Sequence, residues 1–311
     1  MDGREITLKG NIEFPEEVAA AVAEGAAGIG LYRTEFLFHS SGGPPDEAAH
    51  FKAYSDALRQ LEGRPITIRC LDIGADKFPS NPFEANPFLG CRSIRLLLRR
   101  PELLRTQIRA ILRASVHGNA RFMFPLVSTV RELREARAVV DDIRAQLDHD
   151  GIAYDHKIQV GTMIEVPSAA VMAAELAEEC DFFSIGTNDL IQYTLAVNRD
   201  NADVTDLYSA ADPAVLRLIA MTVKAAKDRG IPCAICGEMA ADPLYTILLV
   251  GLGLEEMSTA AKAIPEIKRI VRHISSDFAR KVAEHALTLR TAEEVDRFLT
   301  EKLKAVQPPK A

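Results

Sequence analysis

Two spacings of apolar residues alternate along the chain. Short runs with strand character (EITLKGNIE, GIGLYR, PITIRCLDIG, RFMFPLV, IQVGTMIEV, FFSIGTND, PCAICGE and EMSTA) are separated by stretches in which apolar residues recur every three or four positions. That spacing predicts helices over residues 15–24, 46–61, 131–147, 168–179 and 213–229. Pro15, Pro45 and Pro213 fall at the expected first turns, and Gly25, Gly151 and Gly230 at the expected ends. Eight strands alternating with helices in about 270 residues is the pattern of a (β/α)8 barrel. A doubly wound sheet usually has fewer strands and a G-x-G-x-x-G turn after the first, and no such turn follows here. The predicted fold is therefore α/β, a TIM barrel over residues 1–275. Residues 276–303 read as two further helices packed on the same domain, and VQPPKA as a tail within 276–311.

One stretch breaks the alternation. Residues 72–89, DIGADKFPSNPFEANPFL, form a Pro- and Asn-rich loop after the third strand. Long irregular loops in compact domains are usually functional or disordered. In a barrel this one lies on the C-terminal rim, where active sites are built.

The strand ends carry the polar chemistry. Arg33, Thr34 and Glu35 close the second strand, Arg69 and Asp72 the third, and Arg92 follows the long loop. Glu165 ends the fifth strand and Asn188 and Asp189 the sixth, with Arg199 beyond them. Cys236, Gly237 and Glu238 end the seventh. Arginines offer rigid forks of N–H donors that match phosphate and carboxylate oxygens. Glu165 and Asp189, on neighbouring strands, are the small carboxylate set that magnesium favours. Gly186 and Asn188 offer backbone N–H groups at the start of the helix that follows, where they suit an anion. Taken singly, each of these residues has an ordinary reading: an arginine at a strand end as a surface ion pair, Glu165 as a helix cap, Asp189 likewise. Arg95, Arg99 and Arg100 read as a solvated helix face, the seven histidines as surface or packing residues, and Met123, Met163, Met172 and Met221 as core.

Composition narrows the classes. The 311 residues are 48% apolar and 26% charged, with a net charge of -7, which argues against a general nucleic-acid binder. No apolar run reaches the roughly 18 residues of a membrane span, and MDGREITLKG has no apolar signal core. Five cysteines at irregular spacing argue against a disulfide framework and fit the cytoplasm. Cys233 and Cys236 form a Cys-x-x-Cys, which reads as a redox pair, half a zinc site, or one working thiol beside a neighbour.

In order, GIGLYRTEFLF, RCLDIGADK, NPFLGCRSIR, MFPLVSTVRE, TMIEVPSAA, DFFSIGTNDLIQYTLAVNRDN, CGEMAAD and IPEIKRI resemble the C-terminal, phosphoenolpyruvate-binding domain of enzyme I of the bacterial sugar phosphotransferase system. Pyruvate phosphate dikinases and phosphoenolpyruvate synthases share the plan and are the alternative reading, but QYTLAVNRDN and GLYRTEFLF are closer to enzyme I. A non-catalytic sensor or dimerisation module is a third reading, which an intact Cys236 disfavours. The resemblance implies a barrel, a magnesium (or manganese) ion on Glu165 and Asp189, and substrate contacts from Arg33, Arg69, Arg92, Asn188 and Arg199, with Lys77 as a weaker assignment. It also implies Cys236 as proton donor to the pyruvate enolate and a homodimer. Phosphoryl transfer would go to a histidine on a separate N-terminal domain and then to HPr. The Gly-Gly-x-x-Ser-His type motif of that domain does not occur here, so the expectation is a fragment or a stand-alone barrel that cannot complete turnover alone. Ala75 departs from a usual glycine in the long loop.

Overall fold

The computed structural model describes residues 2–40, 43–75 and 85–306. Its strands are β1 (Thr7–Ile12), β2 (Ile29–Tyr32), β3 (Ile66–Arg69), β4 (Ala120–Phe124), β5 (Gln159–Ile164), β6 (Phe183–Gly186), β7 (Cys233–Cys236) and β8 (Glu256–Thr259). Each pairs in parallel with its sequence neighbours. β8 closes on β1 with Thr7 opposite Glu256 and Gly10 opposite Thr259, giving a closed barrel in chain order. The predicted TIM barrel is the fold, and the eighth strand completes the ring.

Between the strands run α1 (Glu17–Ala23), α2 (Glu35–Ser40), α3 (Glu47–Gln60), α4 (Ser93–Arg99), α5 (Pro101–Ala114) and α6 (Val130–His149). They are followed by α7 (Pro167–Val171), α8 (Ala173–Leu176), α9 (Thr187–Leu195), α10 (Pro213–Arg229), α11 (Glu238–Ala241) and α12 (Pro243–Leu252). After β8 come α13 (Ile264–Arg272), α14 (Ser276–Ala286) and α15 (Ala292–Val306).

Local chemistry sets these boundaries. The Asp46 carboxylate accepts the Ala49 N–H at 2.8 Å and starts α3. Thr129 and Glu132 form a reciprocal capping box at α6. Pro213 opens α10 behind the Asp212 cap, and Gly230, left-handed at φ 74°, ends it.

Strand alternation divides the core in two. Ile29, Ile66, Ile68, Phe122, Phe124, Ile164 and Ile235 face the helices. Leu31, Met123, Met163, Phe182 and Cys236 form a separate cluster in the lumen. Beneath it the N-terminal end is plugged by charge. Glu256 binds both Lys9 (2.7 Å) and Arg121, the Arg121 Nε donates to Thr67 Oγ1 at 2.8 Å, and the guanidinium lies 4.3 Å from the Phe182 ring centroid. Burial, reinforced by Arg121, pushes Lys9 below the usual lysine range.

Two expectations need correcting. The helix predicted over 168–179 is two short helices broken at Met172, whose backbone (φ -96°, ψ 22°) leaves the helical region. Apolar spacing hides the break because Ala169, Ala170, Ala173 and Leu176 point inward on both pieces. Met172 and Met221, expected in the core, are 39% and 45% exposed, whereas Met123 and Met163 are buried in the lumen. Helical spacing tells which residues share a face but not whether that face is covered.

α12 has no polar face to show the period: its sequence PLYTILLVGL is apolar almost all round. It is covered outside by α14 and α15. The Tyr245 hydroxyl on α12 donates to Asp296 on α15 at 3.3 Å. Among the described residues no helix is long and apolar enough to cross a membrane.

Candidate active site

Arg33, Arg69, Arg92, Arg199, Asn188, Glu165, Asp189 and Cys236 all line one cavity of ≈ 370 Å³ at the C-terminal mouth of the barrel. Leu31 and Met163 from the lumen line it too, as do Asp72, Thr187 and Glu238. Lys77 lies outside the described residues.

The chain brings these groups together in a few ways. Arg33 extends β2 by one residue, its N–H donating to the Ile12 carbonyl at 2.9 Å. Arg69 is the last residue of β3. The long loop returns as a short antiparallel bridge, Gly74 opposite Arg92, with the Ala75 N–H on Cys91 O (2.8 Å) and the Ser93 N–H on Ile73 O (2.9 Å). Arg92 is thereby set beside Arg69 at the head of α4. Asn188 and Asp189 lie in the first turn of α9. Gly237, at φ 100°, turns the chain where a Cβ would come within 2.3 Å of Thr187 Oγ1. The Asn188 amide then ties β6 to β7: its oxygen accepts the Glu238 N–H at 3.0 Å, and its nitrogen donates to Glu238 Oε1 at 3.4 Å.

The buried arginines are held by carboxylates. Arg69 meets Glu35 at 3.1 Å and Asp72 at 3.3 Å. Arg92 Nη2 donates to both Asp72 oxygens, at 2.9 and 3.0 Å, and lies 3.9 Å from Asp189. The Arg92 guanidinium also touches Tyr193, whose hydroxyl donates to Phe88 O at 2.5 Å. Arg33 pairs with Glu13 at 3.1 Å near the surface. Asp72 feels opposed effects. Burial raises its pKa, but Arg69 and Arg92 outweigh burial and hold the carboxyl below the usual range.

Glu165 and Asp189 behave the other way. Burial, then repulsion from Asp189 and Asp72, lifts Glu165 well above the usual carboxylate range. Burial, then Asp72, raises Asp189 despite Arg92 and Arg199. Glu165 Oε1 accepts the Leu126 N–H at 2.6 Å. At Gly186 an added Cβ would sit 2.5 Å from Glu165 Oε2, so only glycine leaves that carboxylate its place. Asp189 Oδ1 is buried with no hydrogen-bond partner. A buried, unpartnered oxygen beside a second repelled carboxylate offers hard oxygen donors that would suit magnesium or manganese. Among the described residues no group of three or more His, Cys, Asp or Glu side chains is placed to hold an ion. The protein would supply two ligands and leave the others to substrate and water.

The Cys-x-x-Cys is not a redox pair. Cys236 points into the lumen, whereas Cys233 starts the strand and packs on the outer core. Three strand residues span about 10 Å, beyond the roughly 7 Å limit between α-carbons for a disulfide. The Cys236 thiol accepts from Ser184 Oγ and donates to the Ile185 carbonyl, both at 3.5 Å. Burial pushes it up to about 11, the Ser184 contact opposing. The thiol is therefore protonated near neutrality. Several residues shaping the mouth had no place in the sequence-based set, among them Tyr193 and Ser184. Ser184 could have been found by its inward register on β6; Tyr193 follows from no spacing.

A closed barrel with an arginine-lined mouth and a carboxylate pair at its C-terminal end defines a class, and the comparisons agree with it. The chain belongs to the family described as PEP-utilising enzyme, PEP-binding domain, which matches residues 1–276. It is 46% identical over 301 residues to a phosphoenolpyruvate-protein phosphotransferase from Bacillus sp. (strain S), an alignment covering 96% of this chain and 52% of that one. A protein of the same name from Haemophilus influenzae is 45% identical over 306 residues, covering 97% and 53%. The chain thus spans about half the length of these relatives. A solved citrate lyase from Burkholderia xenovorans shares the fold alone, with TM-score 0.52, 13% identity and 98% and 93% of the two chains covered.

Proposed function

We propose that this chain binds phosphoenolpyruvate with a divalent cation, magnesium or manganese, and passes the phosphoryl group to a histidine on a separate domain, from which it goes on to HPr. The observation that carries this reading is the convergence of four arginines, two buried carboxylates, one of them with an unpartnered oxygen, and one protonated thiol on a single cavity. At ≈ 370 Å³ it suits a small ligand. The names of the relatives support the substrate and the transfer.

The side chains divide the work. Arg33, Arg69, Arg92 and Arg199 neutralise and orient the phosphate and carboxylate groups. Glu165 and Asp189 would hold the cation, which supplies charge neutralisation at the transferring phosphoryl group. The bond between phosphorus and the enol oxygen breaks as one forms to the imidazole nitrogen of the acceptor, and the enolate of pyruvate remains. Cys236 gives its S–H proton to the enolate carbon, leaving pyruvate and a thiolate that regains a proton from solvent. The Ser184 hydroxyl, directed at the same sulfur, stabilises that thiolate.

The test is incubation of the chain with labelled phosphoenolpyruvate and magnesium, with and without a phosphohistidine domain added in trans. Acid-labile label on the added domain only is expected, at a low rate because no covalent link raises the local concentration. Stoichiometric label on this chain alone would place the acceptor within it and overturn the reading.

A further inference from the structure

α5 packs against the barrel with a face of Leu104, Ile108 and Ile111, and in the middle of that face stands Gln107, 1% exposed. Its amide is fully used. Nε2 donates to Thr34 Oγ1 and to the Tyr54 hydroxyl, each at 3.0 Å, and Oε1 accepts the Leu71 N–H at 2.9 Å. Thr34, itself buried, donates to the Arg69 carbonyl at 3.0 Å. Tyr54 is held from behind by the ring nitrogen Nδ1 of His50 at 2.9 Å.

We infer that Gln107 is a positioning residue: it clamps the ends of β2 and β3 so that Arg33 and Arg69 present their guanidinium groups to the anion site.

The backbone needs such a clamp. The pairing of β2 with β3 runs from Ile29 opposite Ile66 to Tyr32 opposite Ile68 and stops there. Arg33, Glu35, Arg69 and Asp72 all lie beyond that point. On its other side β3 continues to follow β4, with the Cys70 N–H on Met123 O at 2.9 Å. Towards β2 the join is made by side chains: Thr34 to Arg69 O, Gln107 to Thr34 and Leu71, and Glu35 Oε1 accepting the Asp72 N–H at 2.8 Å. The Gln107 contacts fall at Leu71, two residues after Arg69 and next to Asp72, and at Thr34, next to Arg33. Removing the amide leaves the buried Leu71 N–H without its acceptor and takes from the Thr34 and Tyr54 hydroxyls the donor each accepts from, and the strand ends relax. A displacement of about 1 Å in residues holding a reacting group is enough to weaken binding and slow reaction.

A glutamine that only satisfied the core would leave the affinity for phosphoenolpyruvate unchanged, or lower it alike with or without the arginine. The positioning role rests on the phosphoenolpyruvate reading, so two measurements are paired. Calorimetry with phosphoenolpyruvate and magnesium is run on the parent chain, Gln107→Leu, Thr34→Val, Arg69→Lys and the Gln107→Leu/Arg69→Lys double variant. Amide hydrogen exchange at Leu71 is followed without ligand. Gln107→Leu should weaken affinity roughly tenfold, the scale on which residues supporting a ligating shell act. Thr34→Val should weaken it less. In the Arg69→Lys background the loss should shrink to within about twofold, the mark of two residues acting as a unit. Leu71 exchange should quicken in Gln107→Leu.

A folded Gln107→Leu with parental affinity, or with the same loss in the Arg69→Lys background, overturns the inference. If Gln107→Leu does not fold, Thr34→Val decides, and parental affinity there overturns it as well. Unchanged exchange at Leu71 overturns the clamp alone. A parent chain that fails to bind phosphoenolpyruvate overturns the functional reading and this role with it.

Discussion

Cys233 and Cys236 stand at the two ends of β7 and face opposite sides of the barrel wall. Only Cys236 reaches the mouth. Cys236→Ala should therefore leave phosphoenolpyruvate binding largely intact, because on the proposed reading the arginines hold the anion. It should slow pyruvate formation, with a phosphohistidine domain in trans, by roughly the hundred- to ten-thousand-fold typical of a lost general acid. Cys233→Ala should turn over near the parental rate. Equal damage from both would contradict separate roles.

The Cys236 thiol sits at about 11 because it is buried. Its folded value lies above the ordinary thiol value of 9.0, so the protonated form persists to higher pH than in a free cysteine. Alkylation of Cys236 by iodoacetamide, followed by mass spectrometry of the native chain, should be slow at pH 8 and rise toward pH 11. A rate that levels off below pH 9 would indicate a thiolate already formed, and would remove Cys236 as an acid at neutrality.

His50 gives a pH effect of opposite sense. Burial holds the imidazole neutral and pushes it down from 6.5 to about 4. Because the unfolded chain takes the proton first, the stability this group contributes is present above pH 6.5 and is lost as pH falls towards 4. The loss should reach roughly 3 kcal/mol, at 1.36 kcal/mol per pKa unit. Urea denaturation at pH 7 and pH 4 should show this extra loss for the parent chain relative to His50→Phe. Parallel pH dependence in the two would contradict the assignment.

Asp72 compensates two buried guanidinium groups at once. Asp72→Asn should cost about 3 kcal/mol or more, as expected when one partner of a buried charge network is removed. Inorganic phosphate should recover more stability in this variant than in the parent, since it restores negative charge beside Arg69 and Arg92. Thermal melts with and without phosphate check this, and equal gains would argue that the arginines are not held by that carboxylate.

Much of this architecture was legible in the chain because strand ends are punctuated by chemistry. Arg33, Arg69, Glu165, Asp189 and Cys236 each follow an apolar run, so a parallel barrel must gather them at one rim. Depth and cross-strand joins were not legible. The helical spacing that includes Met172 and Met221 is the same whether or not their face is covered. α12 lacks a polar face, so periodicity had nothing to report. Gln107 had one visible signal, an amide on an otherwise apolar helical face, but its partners Thr34, Tyr54 and Leu71 lie 36 to 73 residues away, and local pattern does not reach that far. The fork from Asp72 to Arg92 depends on how the long loop folds back, which its Pro-rich sequence does not specify.

On the proposed reading, the mouth binds phosphoenolpyruvate through its arginines together with a cation on Glu165 and Asp189. The most direct measurement is calorimetric titration of phosphoenolpyruvate into the chain with magnesium, with a chelator, and with magnesium after Glu165→Ala. The account predicts binding in the first case and similarly weakened binding in the other two, because each removes the link between the carboxylate pair and the substrate. Equal affinity in all three would contradict it, leaving the carboxylates without a cation and the site without its chemistry.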